Sequence, residues 1–290
     1  MISRRQFSLG LAGAAAATVA GIQASAEPST DVIFTSYALP TQWHPIKQLH
    51  NWPLDHTCVA TSTGTQWGCF GRTYAEDPSV ATAIASGPGD ELWAKAIAGP
   101  DGHAGIDYGV TGVCDQCTNR ILLPAGLTCK NSPGNEIATL LAGIYGLKLQ
   151  AFVTRVKDAA AAVNKDHPGR ISEAKVEAAV TALGGGLKDE WELVRSNNER
   201  LIKPVLGAQY DAVAPDIEDI YLSLYYKREA LTHAWERGNI DKGTLVGKVS
   251  VAFVEALGDL RDVVGAKNYA RIVPVPPQVA SDYVFYQERS

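Results

Sequence analysis

The stretch Tyr108-Gly-Val-Thr-Gly-Val-Cys114-Asp-Gln-Cys117-Thr-Asn-Arg-Ile-Leu-Leu-Pro-Ala-Gly126 runs from a glycine-rich turn into a helical pattern, with a cysteine at the junction. A thiol in the first turn of a helix meets exposed backbone N–H groups and the positive end of the helix dipole. Both favour thiolate over thiol, which is how many catalytic cysteines become nucleophilic near neutral pH. The stretch by itself leaves four roles open to Cys114: nucleophile, redox partner of Cys117, metal ligand, or buried thiol. Its spacing predicts a helix over Cys114 to Pro124. A second helix fits Asn135 to Tyr145, with a turn at Pro133-Gly134 between the two.

Upstream, the chain is rich in Gly, Pro, Trp and Cys. Short β-like runs at Val32 to Tyr37, His56 to Thr61 and Gln66 to Gly71 predict strands joined by tight turns. Composition changes near residue 155, and helical stripes follow: Leu187, Trp191, Val194 and Leu201; Ile217, Ile220, Tyr221, Leu224 and Leu231; Leu245, Val249, Phe253, Leu257 and Leu260. Breaks fall at Gly184-Gly185-Gly186, near Pro204 to Pro215, and at Gly238-Asn239. Pro274, Pro276 and Pro277 remove donors and fix φ, so the end of the chain reads as an extended strap closing in Tyr283-Val284-Phe285-Tyr286. The fold class expected is α+β: a small α/β unit over 27–155, a mainly helical region over 156–272, and an extended Pro-rich tail over 273–290.

Residues 1–26 read as an address. Ser3-Arg4-Arg5-Gln6-Phe7 is a twin-arginine pattern, followed by an apolar run from Leu9 to Ile22 and the small-residue cleavage site Ala24-Ser25-Ala26. A periplasmic or secreted protein, exported already folded, is expected. Removal of this segment leaves 24 basic against 31 acidic residues, a net charge of −7. That balance disfavours nucleic acid as a partner, because neutralising phosphates needs a basic surface. No later run is long enough for a stable membrane span.

A thiol nucleophile needs a base, and histidine is the usual one. His56 is the best placed, in the β-like run Leu54-Asp55-His56-Thr57-Cys58-Val59-Ala60-Thr61, before a Ser-Thr-Gly-Thr turn and Gln66-Trp67-Gly68-Cys69-Phe70. A histidine on the first strand of a hairpin, then a Gly-x-Cys heading a helix, resembles the chain order of circularly permuted papain-like proteins. That group includes NlpC/P60-like and lecithin-retinol-acyltransferase-like hydrolases and acyltransferases. The resemblance covers about residues 50 to 130. It implies a papain-like domain and a cysteine-dependent amidase, peptidase or acyltransferase acting on a peptide or acyl substrate, cell-wall peptides being plausible from the location. Cys114 would attack a carbonyl and His56 would take the proton. The N–H of Cys114 or Asp115, helped by Tyr108 or Gln116, would hold the oxyanion. Gln66 is a choice for orienting the imidazole, since Asp55, adjacent in a strand, points to the opposite face. No cofactor or metal is needed.

Other readings stand beside it. An odd count of five cysteines, Cys58, Cys69, Cys114, Cys117 and Cys129, suits disulfides in an oxidising compartment, with Cys58–Cys69 and Cys117–Cys129 pairing and Cys114 left free. The protein would then be a non-enzymatic binding or stress protein with a partner surface on its C-terminal helices. A Cys-x-x-Cys at a helix start also fits dithiol exchange. A metal or iron–sulfur site would draw on Cys114, Cys117 and Cys129 with Cys58 or Cys69, or on His44, His50 and His56.

Overall fold

The computed structural model describes residues 31–41, 47–184 and 190–285. The segment read as an export signal, His44, Leu187 and Tyr286 lie outside them. The architecture is α+β, with an N-terminal antiparallel sheet and its helices followed by a mainly helical C-terminal region. The strands are β1 (Val32–Pro40), β2 (Asp55–Thr61), β3 (Gln66–Trp67) and β4 (Thr82–Gly89), in the order β3-β2-β1-β4. β1 is central. It pairs with β2 from Phe34↔Thr61 to Pro40↔Asp55 and with β4 from Val32↔Gly89 to Ala38↔Thr82, with a shift of register between Ser36 and Tyr37.

β3 is shorter than the predicted Gln66 to Gly71. Past Trp67 the chain turns through Cys69 (φ 34°) and Phe70 (φ 63°), left-handed conformations that no strand accommodates. β4 was not expected. Its sequence Thr-Ala-Ile-Ala-Ser-Gly-Pro-Gly lacks a β-rich pattern, and an edge strand tolerates Pro88 because one side of its ladder is unpaired.

The helices are α1 (Glu91–Ala98), α2 (Cys114–Leu122), α3 (Pro133–Ala142), α4 (Leu149–Asp166), α5 (Glu173–Ala182), α6 (Glu190–Leu206), α7 (Tyr210–Glu236), α8 (Lys242–Val264), α9 (Ala266–Ile272) and α10 (Pro277–Val284). The expected boundary at 155 falls inside α4. Phe152 and Val156 of α4 and Ala179 of α5 share one core with Phe34, Val59, Trp93 and Ile121, so these two helices belong with the sheet. α3 and α6 to α10 enclose the second core, around Leu141, Ile202, Leu224, Phe253 and Val284. The expected extended strap is instead a short bend over 273–275 between α9 and α10. Pro277 then opens α10, whose first position has no use for an N–H, and Tyr283, Val284 and Phe285 are buried. No helix among the described residues is long and apolar enough to cross a membrane.

α2 is buried at every position, polar residues included. It lies across β2 and is tied to it by two hydrogen bonds: Thr57 Oγ1 donates to Asp115 Oδ1 (2.9 Å), and Thr118 Oγ1 donates to the Thr57 carbonyl (3.3 Å). α3 is fixed nearby by its cap, where Ser132 Oγ accepts from Asn135 N (3.2 Å) and Pro133 occupies the first helical position. The predicted turn at Pro133-Gly134 is thus the opening turn of α3. Gly134 is there because there is no room for a side chain: a methyl would overlap Tyr283 Oη and the Asp55 carbonyl oxygen. Gly134→Ala is expected to destabilise the protein by about 2–3 kcal/mol, read from urea unfolding, despite alanine's better helix propensity.

Candidate functional site

The pleat of β2 decides what can reach Cys114. Successive side chains on a strand point to opposite faces. Asp55 and Thr57 point toward α2 and α3: Asp55 Oδ1 accepts from Ser132 Oγ (2.5 Å) and Gly134 N (2.8 Å), and Thr57 bonds Asp115. His56, between them, is turned to the other face. There its Nε2–H donates to the Arg72 carbonyl (3.1 Å), and Gly71 packs directly on the ring. Burial holds the imidazole down at about 4, against the hydrogen bonds to Arg72 and Gly68 that favour its charged form. The Cys114–His56 dyad implied by the family resemblance is therefore not assembled by this sheet.

The other expected participants have structural work. Gln116 Oε1 accepts from Val113 N (2.9 Å) and its Nε2 donates to the Gly143 carbonyl (3.1 Å), so its amide closes the start of α2 and joins it to the end of α3. Tyr108 is buried, with the Phe70 ring edge-on at 5.0 Å. Gln66 Oε1 accepts from Ala75 N (2.8 Å), while the imidazole it was expected to orient bonds the Arg72 carbonyl.

What Cys114 does meet is its neighbour in sequence. Its Sγ donates to Asp115 Oδ2 (3.5 Å). Asp115 also accepts from Thr57 and, at 3.3 Å, from Tyr283 Oη, whose hydroxyl bonds the Asp55 carbonyl oxygen as well. A chain of buried polar groups thus runs from Cys114 through Asp115 and Tyr283 to Asp55, Ser132 and the first turn of α3. Asp55 in turn lines a cavity of about 530 Å3 at the ends of β1, β2 and β4.

Electrostatics single out Asp115. Burial, and then the nearby charge of Asp55, push its carboxyl up to about 7, while hydrogen bonds from Thr57, Cys114 and Tyr283 pull in the opposite direction. Burial also raises Asp55, against the donors Ser132 and Gly134. Cys114 rests as a thiol, since burial and then the Asp115 charge raise it well above its ordinary value. Two carboxyls and a tyrosine buried together are expensive to keep, and such clusters concentrate at functional sites.

All five cysteines are free thiols and all are buried. The expected pairs, Cys58–Cys69 and Cys117–Cys129, are not disulfide-bonded. Cys117 hydrogen-bonds Cys69, and both sulfurs point at the Gly102 carbonyl oxygen, at 3.5 and 3.7 Å. Cys129 instead joins Asn119: its N–H donates to Asn119 Oδ1 (2.7 Å), and its Sγ lies 3.1 Å from the same oxygen. Among the described residues no group of three or more Cys, His, Asp or Glu side chains is arranged to hold a metal.

The Asp115 carboxyl, as distinct from its backbone N–H, and the hydroxyls of Thr57 and Tyr283 were not among the expected site groups. Asp115 carried a signal, a carboxylate in the first turn of a helix that is otherwise sealed in the core. Tyr283 lies 168 residues from Asp115 and carried none. No family model, curated protein or solved structure matches the chain.

Proposed function

We propose that the chain is an exported thiol-dependent acyl-transfer enzyme, an amidase, peptidase or acyltransferase, with Cys114 as nucleophile and Asp115 as the group that receives its proton. The reading is carried by the 3.5 Å contact from Cys114 Sγ to a carboxyl lifted to about 7. A base of that strength is half ionised near neutrality and still strong enough to draw a thiol proton in the transition state. As Sγ bonds to the carbonyl carbon of an ester or amide, its proton passes to the Asp115 carboxylate and the carbonyl π pair moves onto oxygen. The first-turn amides of α2, aided by the helix dipole, stabilise that oxyanion. Collapse expels the alkoxide or amine, which takes the proton from Asp115. Water, or an acceptor alcohol or amine, then resolves the thioester by the reverse proton path. A carboxylate base in place of the histidine departs from the papain-like dyad but keeps its logic.

p-Nitrophenyl acetate tests this without knowledge of the natural substrate. The expected result is release of p-nitrophenol with an acetyl adduct on Cys114, found by peptide mass spectrometry, at a rate that rises as pH passes through 7. Cys114→Ser should carry no thioester, and Asp115→Asn should acylate about 10²-fold more slowly. An adduct elsewhere, or an unchanged rate in Asp115→Asn, overturns the assignment. A second reading, an exported binding protein whose thiols are structural, is favoured by the contact between Cys69 and Cys117. It predicts no acylation of any cysteine.

A further inference from the structure

The cavity of about 530 Å3 at the ends of β1, β2 and β4 is walled mainly by apolar groups, Ala38, Pro40, Leu54, Val80 and Ile84 among them. Among the described residues, Asp55 is the single ionisable side chain in its lining. It keeps only 9% of its exposure, and its two oxygens are used unequally. Oδ1 takes both donors from the start of α3, Ser132 Oγ and Gly134 N. Apart from the residue's own backbone N–H, no further donor approaches the carboxylate, so Oδ2 takes no hydrogen bond from another residue. Nor is Oδ2 sealed in, as the unpaired polar atoms elsewhere in the core are; it opens onto the cavity that Asp55 lines. Among the described residues no lysine, arginine or histidine forms an ion pair with it. A carboxylate in apolar surroundings with one oxygen unmatched is costly, and a cation from outside the chain would offset that cost. Val80, at the same cavity, is 42% exposed, an uncommon state for a large apolar side chain in this protein.

We infer that this cavity is a binding site for a primary ammonium group carried on a short alkyl chain. The donor set speaks against a metal ion, since no second carboxylate, histidine or cysteine stands in the lining beside Asp55. A guanidinium favours both carboxylate oxygens at once, and Oδ1 is committed to α3. A quaternary ammonium has no N–H to donate and is held by aromatic faces, of which this lining has none. A primary ammonium is a compact charge that one oxygen can meet, and Thr82 and Asn131 in the lining carry acceptors for its other N–H groups. The apolar wall then covers the alkyl chain, and the volume admits about four to six carbons with space for what they are attached to. Cys114 is not part of the lining, so the site stands or falls independently of the acyl-transfer reading.

n-Butylammonium is a suitable probe, with 1-butanol and butyrate as controls that keep a similar chain and remove or reverse the charge. In calorimetric titration of the full chain, the ammonium should bind with one-to-one stoichiometry at millimolar concentration or below and raise Tm, and the controls should do neither. Asp55→Asn keeps an oxygen to accept from Ser132 and Gly134 but removes the charge, and should weaken binding by at least about tenfold. Ala83→Lys places a tethered ammonium at an exposed position of the edge strand β4 in the same lining. It should weaken binding to a similar degree while leaving Asp55 intact, and it provides the comparison should the asparagine variant not fold. The inference is overturned if the ammonium does not bind at about 10 mM. It is equally overturned if 1-butanol binds as well as the ammonium, or if the folded variants bind it undiminished.

Discussion

Replacing Arg120 by leucine is expected to lower the free energy of unfolding by about 3–5 kcal/mol, a large share of the roughly 5–15 kcal/mol that a folded domain possesses. Arg120 is 2% exposed and sits in the last turn of α2. Its guanidinium donates to three backbone carbonyls, those of Tyr145 (2.7 Å), Ala104 (3.1 Å) and Leu147 (2.8 Å), and lies 4.3 Å from the centre of the Phe152 ring. One side chain thus pins the loop before α2 and the loop before α4 to the helix that carries Cys114. Burial lowers the guanidinium to about 9, which still leaves it charged at neutral pH. Leucine would fill part of the volume but leave three buried carbonyls without donors, each costing about 1–3 kcal/mol. Urea unfolding at pH 7 measures the change. A loss below about 1 kcal/mol would mean that water takes over the carbonyls and that the arginine is not the clamp its geometry describes. Lysine should rescue little, because a single ammonium cannot reproduce the planar fork that spans three acceptors.

This clamp also shows how far the sequence could be read. Glycine before Cys114 and the apolar spacing after it are local signals, and they located α2 correctly. Arg120 within that helix gave no hint that it would be buried, since its partners are backbone carbonyls, which have no sequence signature. The alternation along β2 was equally legible: Asp55 and His56 had to face opposite ways. Which of the two faces would meet α2 depended on packing between elements about 60 residues apart, and it is Asp55 and Thr57 that meet it. Prolines misled at the other end of the chain. Pro274 and Pro276 lie in and after a short bend that keeps α9 and α10 apart, but Pro277 starts α10, and α10 is what delivers Tyr283 to Asp115. The cysteine pairing failed for a related reason. Cys117 and Cys69 converge only because the chain turns sharply after Trp67, through two residues with positive φ.

Asp115→Asn is expected to change the shape of the pH–stability curve. The carboxyl has an ordinary value of 3.8 and is raised to about 7 in the fold, chiefly by burial and then by Asp55. Below pH 4 it is protonated in both folded and unfolded chains and contributes no difference. Between about 4 and 7 the folded protein retains a proton that the unfolded chain has released, so stability falls with rising pH. Above 7 both forms are ionised and the penalty is constant, on the order of 4 kcal/mol from the size of the shift. The asparagine variant keeps a neutral side chain of the same shape and lacks this slope. Its stability relative to the wild type should therefore climb from pH 4 to 7 and then level off, whatever fixed offset the lost thiol contact introduces. His56, lowered to about 4, costs stability as pH falls below 6.5, but it does so in both proteins and cancels in the difference. Asp55 is itself raised, chiefly by burial, which the substitution leaves in place, and its charge is already part of what lifts Asp115, so it adds no separate slope to the difference. Parallel curves across that range would show that Asp115 is not held near neutrality. A carboxyl ionised throughout the range would be too weak a base for a buried thiol, so the same titration, read as unfolding free energy rather than rate, also decides whether Asp115 can serve Cys114.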